Sequence, residues 1–194
     1  TTAPASLAFY DCNTFFGLPS GKSAAPVPTA EGLLAEMDRA GIARALTWHI
    51  SQHDASPWVG NQLLADAIAP HDRLAGCWTI LPNCAREFPP PDEFFAAMRA
   101  AQVAALRVFP TPHHYLLNAV AMGDWLAALS ERRVPLFLSL RRGVEWHVIY
   151  ALLADFPELT CVICDHGPWG ADRFFRPLLA RYPNVHVELS QYML

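Results

Sequence analysis

The chain has 194 residues, of which 53% are hydrophobic and only 16% charged, with a net charge of -4. Such a chain is long enough for one domain with a substantial core, and we expect a single (β/α) barrel domain over residues 1–194. The acidic balance excludes a nucleic-acid surface, which requires clustered positive charge. The doublet Arg141-Arg142 is too short to form such a surface.

Membrane association is not expected, because no apolar run approaches the roughly 20 residues of a spanning helix. No signal peptide is visible at the start of the sequence. The five cysteines are odd in number and mostly occupy apolar, strand-like contexts. This pattern favours reduced thiols and a cytoplasmic protein over a disulfide framework.

Strands and helices alternate in the first half of the chain. A first strand, Leu7–Cys12, ends in residues 13–17 and a long loop rich in Pro, Ser and Gly. Thr29 is a predicted N-cap and Gly41 a predicted C-terminal cap of the first helix. The next predicted elements are a strand over 42–49, a helix opening at Pro57, a strand over 73–81 and a helix after Pro89-Pro90-Pro91.

The same alternation continues in the second half. The predicted elements are strands over 104–109, 135–140, 159–165 and 185–189, with helices over 118–133, 144–156 and 172–181. Short apolar strands alternating with helices indicate a parallel sheet covered on both faces. The number of units favours a TIM-like (β/α) barrel of the α/β class. Only seven strands are present, so the barrel is expected to be truncated in this sequence, with strand pairing in a homo-oligomer or a distorted barrel as alternatives.

Side chains at the carboxyl ends of barrel strands converge on one opening, where barrels carry their chemistry. Period-2 alternation then selects the polar residues that share a face at each strand end. The candidates are Asp11, Asn13, His49, Arg107, His113, Ser139, His166 and Glu188, with Trp169 as a wall of the pocket. We expect these residues to bind a small molecule.

The chain resembles the amidohydrolase superfamily, in its aminocarboxymuconate-semialdehyde decarboxylase-like branch. Residues 11–17 fall on the family's D-x-H-x-H-x-G, and residues 135–139 on its P-x-x-x-H. Residues 156–167 resemble F-P-x-L…H-x-G, and residues 182–190 resemble Y-P-N-V-x-x-D-x-S. The resemblance implies a metal-dependent-hydrolase barrel that holds one or two divalent metals through the histidines of these motifs.

The ligand positions that the resemblance implies are mostly changed. Asn13 and Phe15 replace the H-x-H pair, Ser139 replaces the strand-five histidine, and only His166 is kept. Zn²⁺ needs about three His, Cys or carboxylate ligands, so we expect no standard metal centre, although His166 and Asp11 are candidates for a rebuilt one. Without a metal, His166 is a candidate general base and Arg107 a candidate anion holder, and an arrangement of Ser139, His166 and an acid is a further alternative.

Two functions remain open at this stage. The first is an amidohydrolase-like hydrolase, or a decarboxylase, that acts on a small and anionic substrate at the mouth of the barrel. The second is a degenerate, non-catalytic barrel that binds a small ligand or a protein.

Overall fold

The computed structural model describes residues 7–21, 25–167 and 172–189. The strands are β1 Phe9–Phe16, β2 Ile42–His49, β3 Leu74–Thr79, β4 Val103–Val108, β5 Leu136–Ser139, β6 Cys161–Cys164 and β7 Val185–Val187. The helices are α1 Ala30–Ala40, α2 Ser51–Asp54, α3 Pro57–Ile68, α4 Pro91–Ala100, α5 Ala119–Arg132, α6 Trp146–Asp155 and α7 Asp172–Arg181. Within these ranges no helix is both long and apolar enough to cross a membrane.

The seven strands form one parallel sheet in the order in which they occur along the chain. The sheet is curled, because a side-chain hydrogen bond from Asn13 on β1 reaches Glu188 just after β7. No backbone pairing joins β1 to β7 among the described residues, and a cavity of about 640 Å³ lies between residues 9–12 and 187–189. The architecture is therefore the expected α/β barrel type with an open seam.

Two apolar clusters cover the two faces of the sheet. The larger cluster packs the strands against the helices, and β4 contributes Leu106 and Val108 to it. The smaller cluster fills the concave interior and contains Trp48, Phe109 and Phe137. Successive strand residues point to opposite faces, so Arg107, between Leu106 and Val108, points into the interior. The predicted alternation on β4 is thus confirmed.

The predicted helix ends are confirmed where cap residues define them. The Thr29 hydroxyl accepts a hydrogen bond from the amide of Gly32 at 3.2 Å. Gly41 ends α1 with a φ of 71°, a left-handed conformation that glycine adopts without a Cβ clash. Asn118 caps α5 by accepting a hydrogen bond from the amide of Ala121.

The first strand differs from the prediction, which ended it at Cys12. It continues to Phe16, with an irregular register against β2 between Asp11 and Thr14. An irregularity of this kind re-aims side chains, and it places Asn13 and Phe15 on the strand at the mouth of the barrel. The four-residue helix α2 was also not predicted, because one helical turn is too short to show periodicity.

Candidate functional site

Arg107 lies at the centre of the barrel interior and is 2% exposed. Its guanidinium carbon lies 4.9 Å from the ring centre of Trp48, 5.4 Å from that of Phe137 and 6.0 Å from that of Phe109. A cation over aromatic faces is attracted by the ring quadrupoles. The Nε of Arg107 has no hydrogen-bond partner within the described ranges. The interior therefore holds a buried positive charge whose hydrogen-bonding capacity is only partly used.

Asn13 connects this charge to the seam of the barrel. Arg107 donates from Nη2 to Oδ1 of Asn13 at 2.6 Å, and Asn13 donates from Nδ2 to Glu188 at 3.4 Å. The Asp11 carboxylate accepts a hydrogen bond from the backbone amide of Asn13 at 3.0 Å. Asp11, Asn13, Arg107 and Glu188 are thus brought together, with Asn13 as the link.

A second guanidinium, that of Arg142, lies over the same indole. Its carbon is 4.8 Å from the ring centre of Trp48 and 5.4 Å from that of Phe15. Burial lowers the pKa of Arg142, and the positive charge of Arg107 lowers it further, whereas Asp165 and Asp54 act in the opposite direction. Arg142 had no predicted role, because nothing in a two-residue doublet indicates that it folds over a barrel mouth.

The end of β6 departs from the predicted alternation. Asp165 has a φ of 59°, and its carboxylate accepts a short hydrogen bond from the hydroxyl of Ser139. This left-handed residue interrupts the period of two, so Cys164 faces the interior cluster while His166 turns towards the helices. The ring centre of His166 is 5.5 Å from that of Phe175 on α7. Cys164 and His166 therefore do not share a face, and Asp165 rather than His166 is joined to Ser139.

His166 lines a cavity whose wall does not include Arg107. This cavity has a volume of about 520 Å³ and includes Trp146 and Phe174, whose rings are stacked 5.2 Å apart. Trp169, the predicted wall of the pocket, lies outside the described residues.

The two remaining predicted histidines occupy different positions. His49 lies on the face of β2 opposite Trp48, where its ring packs edge-on against Phe16 and its Nδ1 accepts a hydrogen bond from the amide of Ser51. The prediction placed His49 on the face of β2 that points into the barrel interior. Trp48 occupies that face instead. His113 donates to the backbone carbonyl of Gln52 at 2.8 Å, and its ring centre is 6.2 Å from that of Phe109. Burial lowers the pKa of both histidines.

Sequence reasoning assigned no partner to His53, but the structure gives it two. Its Nδ1 lies 2.6 Å from Asp54, and its ring packs edge-on against Phe109 at 4.9 Å. Asp54 also accepts a hydrogen bond from the backbone amide of Ser20. Burial opposes ionisation of Asp54, but the hydrogen bonds from Ser20 and His53 prevail and lower its pKa. The adjacent His53 and Asp54, shortly after the end of β2, were the feature of the sequence that could have indicated this pair.

The residues at the family's metal positions do not fit a divalent metal. Phe15 offers no donor atom, and Oδ1 of Asn13 accepts a hydrogen bond from a guanidinium. No group of three or more His, Cys, Asp or Glu side chains able to hold a metal ion occurs among the residues that the structure describes. The amide of Asn13 and the ring of Phe15 instead contact the guanidiniums of Arg107 and Arg142, respectively.

The parallel strands, which alternate with helices, and the polar residues of the interior define a protein of the (β/α)-barrel class. A family model described as Amidohydrolase matches residues 19–193, and the chain belongs to this amidohydrolase family. The predicted resemblance is confirmed at the level of the family. No match to a curated protein was found.

Solved structures of the same fold include three enzymes of the superfamily. The 5-carboxyvanillate decarboxylase of Novosphingobium aromaticivorans, solved with manganese and a nitrobenzoic acid, aligns with a TM-score of 0.62 at 15% identity over 96% of this chain and 77% of its own. Dihydroorotase of Campylobacter jejuni aligns with a TM-score of 0.59 at 12% identity, over 96% of this chain and 54% of its own. An amidohydrolase of Mycobacterium avium subsp. paratuberculosis aligns with a TM-score of 0.54 at 16% identity, over 82% of this chain and 58% of its own. The chain thus spans little more than half the length of two of these three.

Proposed function

We propose that this chain forms the barrel of an amidohydrolase-type enzyme that hydrolyses a small anionic substrate at the carboxyl ends of its strands. The observation that carries the proposal is the buried guanidinium of Arg107, hydrogen-bonded to Asn13 inside a ring of aromatic side chains. A barrel that served only as a scaffold would fill this space with apolar side chains, since a buried charge is costly to desolvate. Arg107 itself is too buried to touch a substrate in this conformation, so it acts through its electric field.

The candidates for proton transfer lie on β5 and just after β6. Asp165 accepts the hydrogen bond of Ser139, which fixes the orientation of a carboxylate near the guanidinium of Arg142. A carboxylate held in this way can act as the general base that activates water, and the arginines can stabilise the oxyanion that develops. His166, next in the sequence, remains a second candidate, and Asp11 positions the Asn13 backbone.

The proposed chemistry does not pass through the family's metal, because its donor set is not rebuilt among the described residues. Decarboxylation is the second reaction that this class of barrel supports. It is suggested by the similarity in fold to 5-carboxyvanillate decarboxylase. In both reactions the guanidiniums of Arg107 and Arg142 would attract an anionic substrate. We propose the cytoplasm as the compartment, a small molecule as the only ligand, and no nucleic-acid or membrane partner. The open β1 and β7 edges favour a homo-oligomer.

The test is turnover of a panel of esters, lactones, amides and aromatic carboxylic acids, followed by variants. We expect Asp165→Asn to lower kcat about 100-fold or more, as loss of a general base does. Asp66→Asn is the matched control, because Asp66 is exposed on α3, away from the carboxyl ends of the strands. His166→Asn distinguishes the two candidate bases, because it should lower kcat strongly only if His166 rather than Asp165 is the base. Absence of turnover across the panel, or full activity in both the Asp165 and His166 variants, would overturn the proposal.

A non-catalytic, ligand-binding barrel is the second candidate function. It is favoured by one observation, the engagement of Asn13 by Arg107 at a position that the family uses for a catalytic metal ligand. This reading predicts ligand binding with no turnover, and it fails if any reaction in the panel depends on Asp165 or His166.

A further inference from the structure

We propose that Arg142 is the docking residue for a small oxyanion at the mouth of the barrel. The inference rests on the proposed function only in placing the ligand at this mouth. It concerns binding, so it can hold whether or not the bound molecule reacts.

The first argument is that the donors of Arg142 are unused. Arginine presents five N–H donors, and within the described ranges those of Arg142 make no hydrogen bond or ion pair. Several surface arginines, by contrast, have carboxylate partners: Arg39 with Glu36, Arg73 with Asp38, Arg132 with Asp92 and Arg176 with Asp172. Water can solvate an exposed guanidinium, but Arg142 is half-buried. A half-buried charge with unused donors is a ready partner for an anion.

The second argument is that aromatic rings hold Arg142 in place. The guanidinium lies over both Trp48 and Phe15, which fixes it without using its N–H groups. A guanidinium that is held before binding loses less conformational entropy when it forms hydrogen bonds to an anion. Stacking also leaves the edge of the guanidinium available for the paired hydrogen bonds that carboxylates and phosphates accept.

A second positive charge contacts the same indole. Arg107 and Arg142 both contact Trp48, so two like charges are held near each other inside one barrel. This arrangement is unfavourable for the unliganded protein, and a bound anion would relieve it. The carboxylates of Asp165 and Asp54 offset part of this positive charge through space. An anion bound at the edge of the Arg142 guanidinium would offset it at hydrogen-bonding distance.

The identity of Phe15 connects these observations. Phe15 stands where the family resemblance places a metal-ligating histidine, and here it supports the guanidinium of Arg142. The mouth thus offers positive charge from arginine at the place where the family would offer it from a metal. A carboxylate and a phosphate both satisfy such a site, since both are compact oxyanions with paired acceptors.

The test is binding of malonate, benzoate and inorganic phosphate to the intact chain. Calorimetry measures the affinity, and thermal unfolding measures the shift in Tm. Malonamide and benzamide are the uncharged controls. We expect at least one anion to bind and to raise Tm, and Arg142→Gln to weaken its binding about tenfold or more, the loss of a charge-assisted contact. Arg141→Gln is the matched control, because Arg141 is exposed and its neutralisation changes the net charge equally. Without an anion, Arg142→Gln should unfold at the same temperature as the parent chain or higher.

Three results would overturn the proposal. These are no binding by any of the anions, equal weakening by the Arg141 and Arg142 substitutions, and equal binding of the uncharged amides. Arg142→Lys keeps the charge but not the paired donors, and intermediate affinity is expected for it. It also provides a folded variant if Arg142→Gln proves unstable. Phosphate binding without carboxylate binding would uphold the site and assign it to tetrahedral anions. None of these measurements requires turnover, so they separate this proposal from the catalytic one.

Discussion

Arg107 on β4 donates a 2.6 Å hydrogen bond to Asn13 on β1, two strands that are not neighbours in the sheet. The bond crosses the barrel interior, and Asn13 extends it to Glu188 beyond β7. One amide thus ties the centre of the sheet to both sides of its open seam. Among the described residues, a small set of polar side chains rather than backbone pairing connects the two ends of the curled sheet.

Asn13→Ala should destabilise the fold because it removes the hydrogen bond to a buried guanidinium. Hydrogen bonds to charged groups contribute about 1.5–3 kcal/mol, so we expect a decrease of about 2 kcal/mol in the free energy of unfolding. Urea unfolding of the parent chain and the variant measures this decrease. In the background of Arg107→Met the same Asn13→Ala substitution should cost much less, and equal costs in the two backgrounds would contradict the proposed coupling.

Gly60→Ala should be strongly destabilising, since a Cβ there would lie 2.5 Å from the backbone nitrogen of Gln52. The clash would push α3 away from α2, at a cost of about 1–3 kcal/mol. Gly123→Ala on α5 is the matched control, because a Cβ there meets nothing within 4 Å. That substitution should stabilise the protein by about 0.5–1 kcal/mol. Thermal unfolding of the two variants should therefore shift in opposite directions.

Asp54→Asn should lower stability at neutral pH and lose its effect in acid. The pKa of Asp54 is lower in the folded protein than in the unfolded chain. Its ionised form therefore contributes stability above the unfolded pKa of about 3.9, and that contribution disappears as the pH falls through the folded value. Unfolding free energies of the parent chain and the variant, measured between neutral and acid pH, should converge at low pH. A constant difference would contradict the role given to ionised Asp54.

One thiol should react much faster than the others with a disulfide reagent in the native protein. Cys84 is exposed, whereas Cys77, Cys161 and Cys164 are buried. Burial raises the pKa of Cys77 to about 11 and that of Cys161 to about 12, which removes the reactive thiolate near neutral pH. Cys84→Ser should abolish the fast phase, and Cys12→Ser should leave it intact. Fast reaction of two or more thiols would show that the interior opens.

The fold was predictable because each of its signals is local. Apolar strands alternate with helices whose ends are defined by caps such as Thr29 and Gly41, and these patterns are independent of distant contacts. The ends of the strands were less predictable. β1 continues through Asn13 and Phe15 because the neighbouring β2 pairs with it, and that pairing is a tertiary interaction.

The site was predictable in its location and only partly in its membership. Placing Arg107 and Asn13 at the carboxyl ends required only the barrel and the alternation of strand residues. His166 escaped this rule because the left-handed conformation of Asp165 reverses the facing of the next residue, and a non-glycine residue with positive φ has no reliable sequence signal. Arg142 was missed because its partners Trp48 and Phe15 come from β2 and β1, distant in the sequence.

The most direct test of the central claim, that arginine charge replaces the family's metal at this mouth, is elemental analysis of the purified protein after dialysis against excess Zn²⁺ and Mn²⁺. We predict well below one equivalent of metal per chain, because Phe15 and the Arg107-bound Asn13 do not provide a ligand set. Asp11→Asn should leave that content unchanged. About one tightly held equivalent, lost on Asp11→Asn or His166→Asn, would contradict the claim and assign the mouth to a rebuilt metal centre.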